Sequence, residues 1–410
     1  MSIMTLAEAA LERIEGDEGR LQAYAWLDRD SVLAEARRLE DGARRGPLSG
    51  HVVAVKDIFD TVDMPTACGS PIHAGRRPVR DAAAVAAIRA AGGLVVGKSV
   101  TTEFAHLTPG PTRNPHDTAH TPGGSSSGSA ASVAAGGASL ATGTQTAGSI
   151  IRPAAFCGVV GYKPSFGMIS RSGLSLFSES LDTIGGFARS VAEAALFVGV
   201  MAGRSDLAPK VSQRAPRLAV WVTPDAAMAE APVLAELERV AAVAAAAGAT
   251  VTALPDPGGW QALIEAQQIV MGWEGVRALA FEWEVHRGLL SDALRAYLDD
   301  AARLQPEEYE AALEVRRSLG GGLLAAIAPY DGVLTLSAKG EAPLVEAGTG
   351  DPHFCRVWTL LGGPALHLPT QRGPRGLPIG VQIVGAPGRD RSLLDAAAWL
   401  EAALARSGAA

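Results

Sequence analysis

Cysteine is scarce in this chain of 410 residues. Only Cys68, Cys157 and Cys355 occur, and an odd number at such wide spacing fits neither a disulfide framework nor a zinc site. The sequence therefore predicts a protein of a reducing, cytoplasmic compartment.

Long apolar runs and clusters of one charge are also missing. The longest uncharged stretches are full of Gly, Ser and Pro, and none offers the ~20 apolar residues that a bilayer span requires. Residues 1–19 carry a charge every few positions and do not have the pattern of a signal peptide. The net charge is -7 and the basic residues are scattered, which disfavours nucleic acid and anionic membranes as partners. We expect a soluble protein.

Apolar residues make up 48% of the chain, which is enough for a large core. Residues 4–45 have the periodicity of two amphipathic helices, and strand-like segments then alternate with Ala- and Leu-rich helical stretches. The predicted strands are HVVAVK from His51, GGLVVGK from Gly92, LAVWV from Leu218, ATVTAL from Ala249, DGVLTL from Asp331 and IGVQIVG from Ile379. No charged or Pro-rich linker divides the chain. The pattern predicts a single α/β domain with one large sheet covered by helices.

One segment, residues 121–164, is strongly biased toward Gly, Ser and Ala. A flexible linker has such a composition, but here the small residues alternate with a helical run, a strand-like run and prolines. Small residues also serve where backbones approach closely or adopt positive φ. Two loops in the segment end in serines that stand 24 residues apart, Ser125 after Gly-Gly and Ser149 after Ala-Gly. This spacing can bring both hydroxyls to one end of a sheet.

A serine hydroxyl becomes a good nucleophile only when a base within ~3 Å takes its proton. Neither His116 nor His120 lies in a strand-loop context that aims it at a nucleophile, so histidine is disfavoured as the base. Lysine is rare, and Lys56 directly follows the apolar run VVAV. Burial would lower its pKa and make it a base near neutral pH. The alternative for Lys56 is a structural ion pair with Asp57 or Asp60.

The segments GGSSSGSAASVAAG and GTQTAGSIIRPAAFCGVVGYKP resemble the signature stretch of the amidase signature family of serine hydrolases. Further blocks resemble that family along nearly the whole chain, namely AVKDIFD, TACGS, TTEFAH, RNPH, LDTIGGFARS, LGGPALHLP and GLPIGVQIVG. The resemblance implies one α/β/α domain with a mixed sheet. Within it we expect a helical segment at 1–45, a catalytic core at 50–190 and a variable pocket region at 205–330.

The resemblance also implies a catalytic triad of Lys56, Ser125 and Ser149, with Ser149 as the nucleophile. Ser125, joined to Gly124 by a cis peptide bond, would pass the proton of Ser149 to Lys56. The implied oxyanion hole consists of four backbone N–H groups, those of Thr146, Ala147, Gly148 and Ser149.

Two other interpretations of the first loop are less favoured. The motif G-x-S-x-G would make Ser126 the nucleophile of a hydrolase elbow, but an elbow directly follows a buried strand, and here His-Thr-Pro-Gly precedes. An anion-binding nest at a helix N-terminus would indicate a nucleotide binder, but the Lys-Ser/Thr tail of a phosphate loop is missing.

The sequence departs from the usual family run GTDTGGSIR at three positions. Gln145 replaces an acidic residue, Ala147 replaces a glycine, and Arg152 stands three residues after Ser149 instead of two. Gln145 and Arg152 resemble the malonamidase-type branch, which includes enzymes of malonamate-like acids. Arg152 would then bind a substrate carboxylate, or alternatively form a structural ion pair beneath the loop.

By family analogy, residues 267–273 line the substrate pocket. Met271 in this segment and Gly124 in the first serine loop are expected substrate contacts, although a helix packed in the core would contain the same residues as the segment. Asp182 and Arg189 resemble positions that support the site and take no part in the chemistry.

The predicted function is that of a cytoplasmic amidase, free of metal and cofactor, that hydrolyses a small amide such as a malonamate-like acid. A homodimer is the family expectation. Hydrolysis of carbamates, anilides or carboxybiuret-type compounds on the same triad is the alternative. A further alternative, an amidotransferase subunit that acts on charged tRNA, is disfavoured by Gln145 and by the length of the chain.

Overall fold

The computed structural model describes residues 2–42, 45–209 and 214–408, and these contain one mixed sheet of 11 strands with 13 α-helices around it. The strands are β1 Tyr24–Leu27, β2 Val52–Lys56, β3 Leu94–Ser99, β4 Leu140–Gln145, β5 Val160–Lys163, β6 Thr183–Ala188, β7 Arg217–Val220, β8 Thr250–Ala253, β9 Gly332–Leu336, β10 Ala365–Arg372 and β11 Pro378–Val384. Their order in the sheet is β1-β3-β2-β4-β6-β5-β10-β11-β9-β7-β8.

The helices differ widely in length. They are α1 Ile3–Leu21, α2 Arg29–Asp41, α3 Ala83–Ala90, α4 Ser127–Ala135, α5 Ile151–Cys157, α6 Val191–Ala202, α7 Ala231–Ala246, α8 Trp260–Ala278, α9 Ala280–Val285, α10 Asp292–Ala301, α11 Pro306–Ile327, α12 His353–Leu360 and α13 Asp390–Arg406. In the described ranges, none combines the length and apolar composition needed to cross a bilayer.

Successive residues of β2 pack into two different hydrophobic clusters. Val53 and Val55 belong to a cluster with residues of α3 and α6, whereas Val52 and Ala54 belong to one with residues of α1, α2 and α4. Because successive side chains of a strand point to opposite faces, helices cover both faces of the sheet. The predicted α/β fold with a helix-covered sheet is confirmed.

Strands β2 and β4 are parallel neighbours, with Val53 paired to Leu140. They therefore end at the same edge of the sheet, β2 at Lys56 and β4 at Gln145. The turn after β4 carries Ser149 and leads into α5. This pairing explains how side chains almost 100 residues apart in sequence come to lie at one edge.

The N-terminal segment differs from the prediction in one element. Two helices, α1 and α2, are present, but β1 lies between them and pairs antiparallel with β3. Four residues with no alternation of buried and exposed positions give no strand signal, and the pairing of Tyr24 with Ser99 is non-local. The predicted later strands agree with β2, β3, β7, β8, β9 and β11. Residues 43–44 of the predicted helical segment and 210–213 of the predicted pocket region lie outside the described residues.

Candidate active site

Lys56 lies at the end of β2 with its side chain fully buried. Its Nζ is 2.7 Å from Ser125 Oγ and 2.8 Å from Thr144 Oγ1. Burial lowers the pKa of this amine to about 7, against a smaller opposing effect of the Asp182 carboxylate. Near neutral pH the amine can therefore lose its proton and accept another from a hydroxyl.

The alternative role of Lys56, a structural ion pair with a neighbouring aspartate, is wrong. Asp57 is paired with Lys98, whose Nζ lies 3.2 Å from the carboxylate. Asp60 is paired with Arg76 at 2.7 Å. Both candidate partners of Lys56 are thus bound by other cations.

Ser125 is buried in the loop before α4, and the peptide bond between Gly124 and Ser125 is cis, as the family resemblance implies. The carbonyl oxygen of Ser125 accepts a hydrogen bond from the Thr102 N–H. Its hydroxyl faces the Lys56 amine, and the carbonyl of Gly124 accepts from Arg152 Nη2 at 2.7 Å. Backbone contacts on both sides of the hydroxyl therefore hold it in place.

Ser149 borders a cavity of about 340 Å³. Its side chain forms no hydrogen bond within the described part of the chain, so the hydroxyl is free to approach a ligand. The backbone N–H groups of Ala147, Gly148 and Ser149 likewise have no acceptor among the described residues. In this arrangement the hydroxyl can attack a carbonyl carbon, and the unpaired N–H groups beside it can donate to the oxyanion that results.

Gln145 fixes the turn that carries these groups. Its Oε1 accepts from the N–H groups of Ile150 and Ile151 at 2.9 and 3.0 Å, which caps the start of α5. Its Nε2 donates to Thr359 Oγ1 at 2.9 Å, and the Thr359 hydroxyl donates to the Ala147 carbonyl at 2.7 Å. The amide side chain both accepts and donates here, which a carboxylate cannot do.

Asp182, directly before β6, supports the same turn. Its Oδ1 accepts from the Thr146 hydroxyl, and its Oδ2 accepts from the backbone N–H groups of Phe177 and Ser178. Burial raises the pKa of this carboxyl, and these hydrogen bonds oppose the rise. Phe177 lines the cavity, so Asp182 joins the cavity wall to the Ser149 turn, whereas Arg189 is exposed.

Arg152 is buried and lines the cavity, and both terminal nitrogens of its guanidinium donate to backbone carbonyls. Nη1 donates to the Gly350 carbonyl at 2.8 Å, and Nη2 donates to Gly124 at 2.7 Å and to Thr349 Oγ1 at 3.3 Å. Burial lowers the pKa of Arg152 to about 10. The acidic partner of the predicted structural ion pair is absent among these contacts, and backbone carbonyls take its place.

The predicted pocket segment lies on α8. Met271 lines the cavity together with Gln268, Ile269 and Gly272. Gly124 is not among the lining residues; its carbonyl faces Arg152. The remaining wall comes mainly from α10 and α12 and from the residues after the short turn at 103–105.

Four polar residues of the cavity lining were not identified from sequence, namely His106, Tyr297, Asp300 and Arg356. His106 lies in the block TTEFAH, which contributed only to the resemblance. Tyr297 and Arg356 lie in helices where periodicity gives no indication of a site. Only their placement around the cavity identifies them.

The competing serine and histidine candidates do not reach the cavity wall. Ser126 is fully buried, and its hydroxyl donates to the Thr144 carbonyl at 3.4 Å. His116 Nε2 lies 2.9 Å from the Cys157 carbonyl oxygen, and His120 lies beside Asp117. None of the three candidates contacts Ser149.

Known proteins that resemble this chain show its family. A family model described as Amidase matches residues 5–394. One glutamyl-tRNA(Gln) amidotransferase subunit, from Carboxydothermus hydrogenoformans, is 46% identical over 213 residues, which span 50% of this chain but only 44% of that relative. The corresponding subunit from Koribacter versatilis is 32% identical over 454 aligned positions, covering 98% of this chain and 95% of the relative.

Among solved structures, the crystal structure of an amidase superposes with a TM-score of 0.90 at 32% identity, covering 98% of this chain and 96% of the other. The family model and the two full-length similarities agree with each other. The chain therefore belongs to the amidase signature family.

Proposed function

We propose that this protein hydrolyses the C–N bond of a small amide, with Ser149 as nucleophile, Ser125 as proton bridge and Lys56 as base. The observation that carries the proposal is the 2.7 Å contact between the buried Lys56 amine and Ser125 Oγ, at the sheet edge where Ser149 borders the cavity. The lowered pKa of Lys56 supports the role of base.

In the acylation step, the neutral Lys56 amine accepts the proton of Ser125 Oγ while that oxygen accepts the proton of Ser149. The Ser149 oxygen attacks the amide carbon, and the N–H groups of residues 146–149 donate to the oxyanion. In this scheme Ser125 relays the proton from Ser149, so Lys56 need contact only Ser125, as it does at 2.7 Å.

The proton then returns by the same route. Lys56, now protonated, passes a proton through Ser125 to the leaving nitrogen, the C–N bond breaks, and the amine or ammonia departs. Water attacks the acyl ester, with Lys56 and Ser125 again accepting the proton, and the carboxylic acid is released as Ser149 regains its hydrogen. The neutral Lys56 amine is required when Ser149 attacks the amide and again when water attacks the acyl ester. The deep burial of Lys56 favours this neutral form.

The substrate class is part of the proposal. Gln145 and Arg152 support a malonamidase-type enzyme, and the Met271 side of the cavity supports an apolar group on the substrate. Carbamates, anilides and carboxybiuret-type compounds fit the same chemistry, because each presents a carbonyl carbon bonded to nitrogen.

An amidotransferase subunit is the second candidate, and the curated relatives support it, since the two compared above are glutamyl-tRNA(Gln) amidotransferase subunits. In that case the triad would release ammonia from an amide donor for a partner to use. The two functions differ in what the isolated chain does: a free-standing hydrolase turns over small amides alone, whereas a subunit requires its partners.

The test is turnover by the isolated protein, measured as ammonia release from malonamate, aliphatic primary amides and glutamine and as aryl amine release from anilides and N-aryl carbamates. Labelling by a serine-directed fluorophosphonate is measured alongside. Ser149→Ala is expected to abolish labelling and to lower turnover at least ~10³-fold. Ser126→Ala, the matched control, should keep turnover within about threefold. Labelling that persists in Ser149→Ala, or is lost in Ser126→Ala, would refute the assignment of the nucleophile.

A further inference from the structure

Three polar side chains form one wall of the cavity, and we call His106, Tyr297 and Arg356 the polar wall. The rings of His106 and Tyr297 are 4.1 Å apart between centroids, and His106 is also stacked on Phe177 at 4.9 Å. Arg356 contributes electrostatically to the pKa of both His106 and Tyr297. The three groups therefore form one cluster.

The polar wall is connected to the turn that carries Ser149. Arg356 Nη1 donates to Gln267 Oε1 at 2.7 Å, and Gln267 Nε2 donates to the Thr146 carbonyl at 3.0 Å. One side-chain amide thus joins the guanidinium to the backbone beside the nucleophile. A group bound by Arg356 would be held in fixed relation to the Ser149 hydroxyl.

Several atoms of the polar wall are buried without a partner in the described part of the chain. These are both ring nitrogens of His106 and the hydroxyl of Tyr297. Burying an unpaired polar group costs free energy, about 1–3 kcal/mol for each group, and most buried polar groups in proteins are paired. Three such atoms beside one guanidinium in a cavity wall indicate a place that a ligand completes.

The charges around the cavity favour an anion with hydrogen-bond acceptors. Burial, aided by the nearby Arg356 charge, lowers the pKa of His106 to about 3, so this ring is neutral and contributes an N–H donor. Arg152, the other cation at the cavity, donates with both terminal nitrogens to the carbonyls of Gly124 and Gly350, and only its buried Nε has no partner among the described residues. Asp300, an acid of the lining, is largely exposed at the rim. Arg356 is therefore the cation most available to a ligand among the described lining residues.

We propose that the polar wall binds a carboxylate of the substrate, with Arg356 and the Tyr297 hydroxyl as donors to its oxygens. The identity of the substrate rests on the proposed function: it is a small amide that also carries an ionised carboxyl group. The residue that binds the carboxylate is then Arg356, and not Arg152 as the sequence suggested. His106 positions the Tyr297 ring and donates one further N–H.

The test is a binding measurement that requires no turnover. Malonate, succinate and glutarate, and the corresponding diamides, are titrated by calorimetry into full-length Ser149→Ala protein. Each diacid and its diamide have nearly the same shape and differ in charge. At least one diacid is expected to bind tenfold or more tightly than its diamide, and adding Arg356→Gln is expected to weaken that diacid 10- to 100-fold.

Arg277→Gln is the matched control. Arg277 lies on α8, exposed and stacked on Trp273, and it does not line the cavity. The substitution removes the same unit of charge from the protein, so diacid affinity should stay within about twofold. An equal loss in Arg277→Gln and Arg356→Gln would show that only net charge matters and would overturn the proposal.

Tyr297→Phe gives a second, independent result. Because the hydroxyl is buried and unpaired without ligand, its removal should leave the melting temperature unchanged or higher, while diacid binding weakens several-fold. If Tyr297 had only a structural role, Tyr297→Phe would lower the melting temperature and leave diacid binding unchanged. That result would contradict a carboxylate site. If no diacid binds more tightly than its diamide, the proposal is also wrong.

These outcomes are separable from failure of the proposed function. If the protein is not a hydrolase, Ser149 is not labelled and no amide is turned over, but the diacid titrations are unaffected. Conversely, a protein that is labelled at Ser149 and hydrolyses neutral amides, but does not distinguish diacids from diamides, would keep its proposed function and lose the carboxylate site.

Discussion

The hydroxyl of Thr359 on α12 donates to the carbonyl oxygen of Ala147 at 2.7 Å. The two residues are separated by 212 positions in the chain, yet this contact holds the turn on which the Ser149 N–H groups are arranged. Helix α12 also carries Arg356. The geometry of the turn therefore depends on a helix from the C-terminal part of the sequence.

Replacing Thr359 with valine should loosen this turn. Thr359→Val leaves both the Gln145 amide and the Ala147 carbonyl without their partner, so we expect the free energy of unfolding to fall by about 1–3 kcal/mol and kcat to fall at least tenfold. Urea unfolding and steady-state kinetics measure the two effects. Thr335→Val is the control, since the buried Thr335 hydroxyl has no partner in the described ranges, and it should be neutral or stabilising.

Gln145→Met removes the amide and keeps a side chain of similar length. The N–H groups of Ile150 and Ile151 would lose their shared acceptor, and we expect a loss of at least about 2 kcal/mol in the free energy of unfolding. Amide hydrogen exchange in the first turn of α5 should become faster. Unchanged exchange there would mean that the side-chain cap contributes nothing to the turn.

The activity should depend on pH through Lys56. Its pKa is lowered to about 7 by burial, and only the neutral amine can accept a proton, so kcat/KM should fall about tenfold per pH unit below 7 and level off above it. The measurement uses a substrate with no ionisable group between pH 5 and 9. A profile that is flat from pH 5.5 to about 8.5 would exclude an amine base with this pKa.

The same shift has a consequence for stability. The ordinary pKa of 10.5 applies to the unfolded chain, so between pH 7 and 10.5 the unfolded state binds a proton that the folded state does not. This group therefore makes the free energy of unfolding rise with pH across that window. Lys56→Met should remove that contribution, and equal slopes in the two proteins would contradict it.

Arg152→Met distinguishes a structural role from carboxylate binding. The carbonyls of Gly124 and Gly350 would lose a charged donor, and we expect a loss of about 2–4 kcal/mol in the free energy of unfolding. The value of kcat/KM should fall by the same factor for malonamate and for malonamide. A selective loss on malonamate in a protein of normal stability would instead make Arg152 the carboxylate receptor.

Much of this architecture follows from local sequence. The apolar run before Lys56 and the small residues around Ser125 and Ser149 predict a buried amine and two close loops, and the structure brings Lys56 within 2.7 Å of Ser125. The short strand β1 could not be predicted, because its stability comes from pairing with β3 and not from its own four residues.

The polar wall could not be predicted from the sequence either. Tyr297 and Arg356 are 59 positions apart, and each occupies an ordinary helical position. Only the packing of α10 and α12 around one cavity gives them a common environment. A single sequence contains no record of such distant neighbours, whereas the Gly and Ser loops have a distinctive local composition.

The proposed reacting groups and the cavity wall come from different segments of the chain. The three proposed reacting groups fall between residues 56 and 149, whereas much of the cavity wall comes from residues 268–304 and 352–356. Changes in the wall can therefore accumulate without moving the amine or the hydroxyls. One set of reacting groups could in this way serve many related enzymes, each with a wall suited to a different compound.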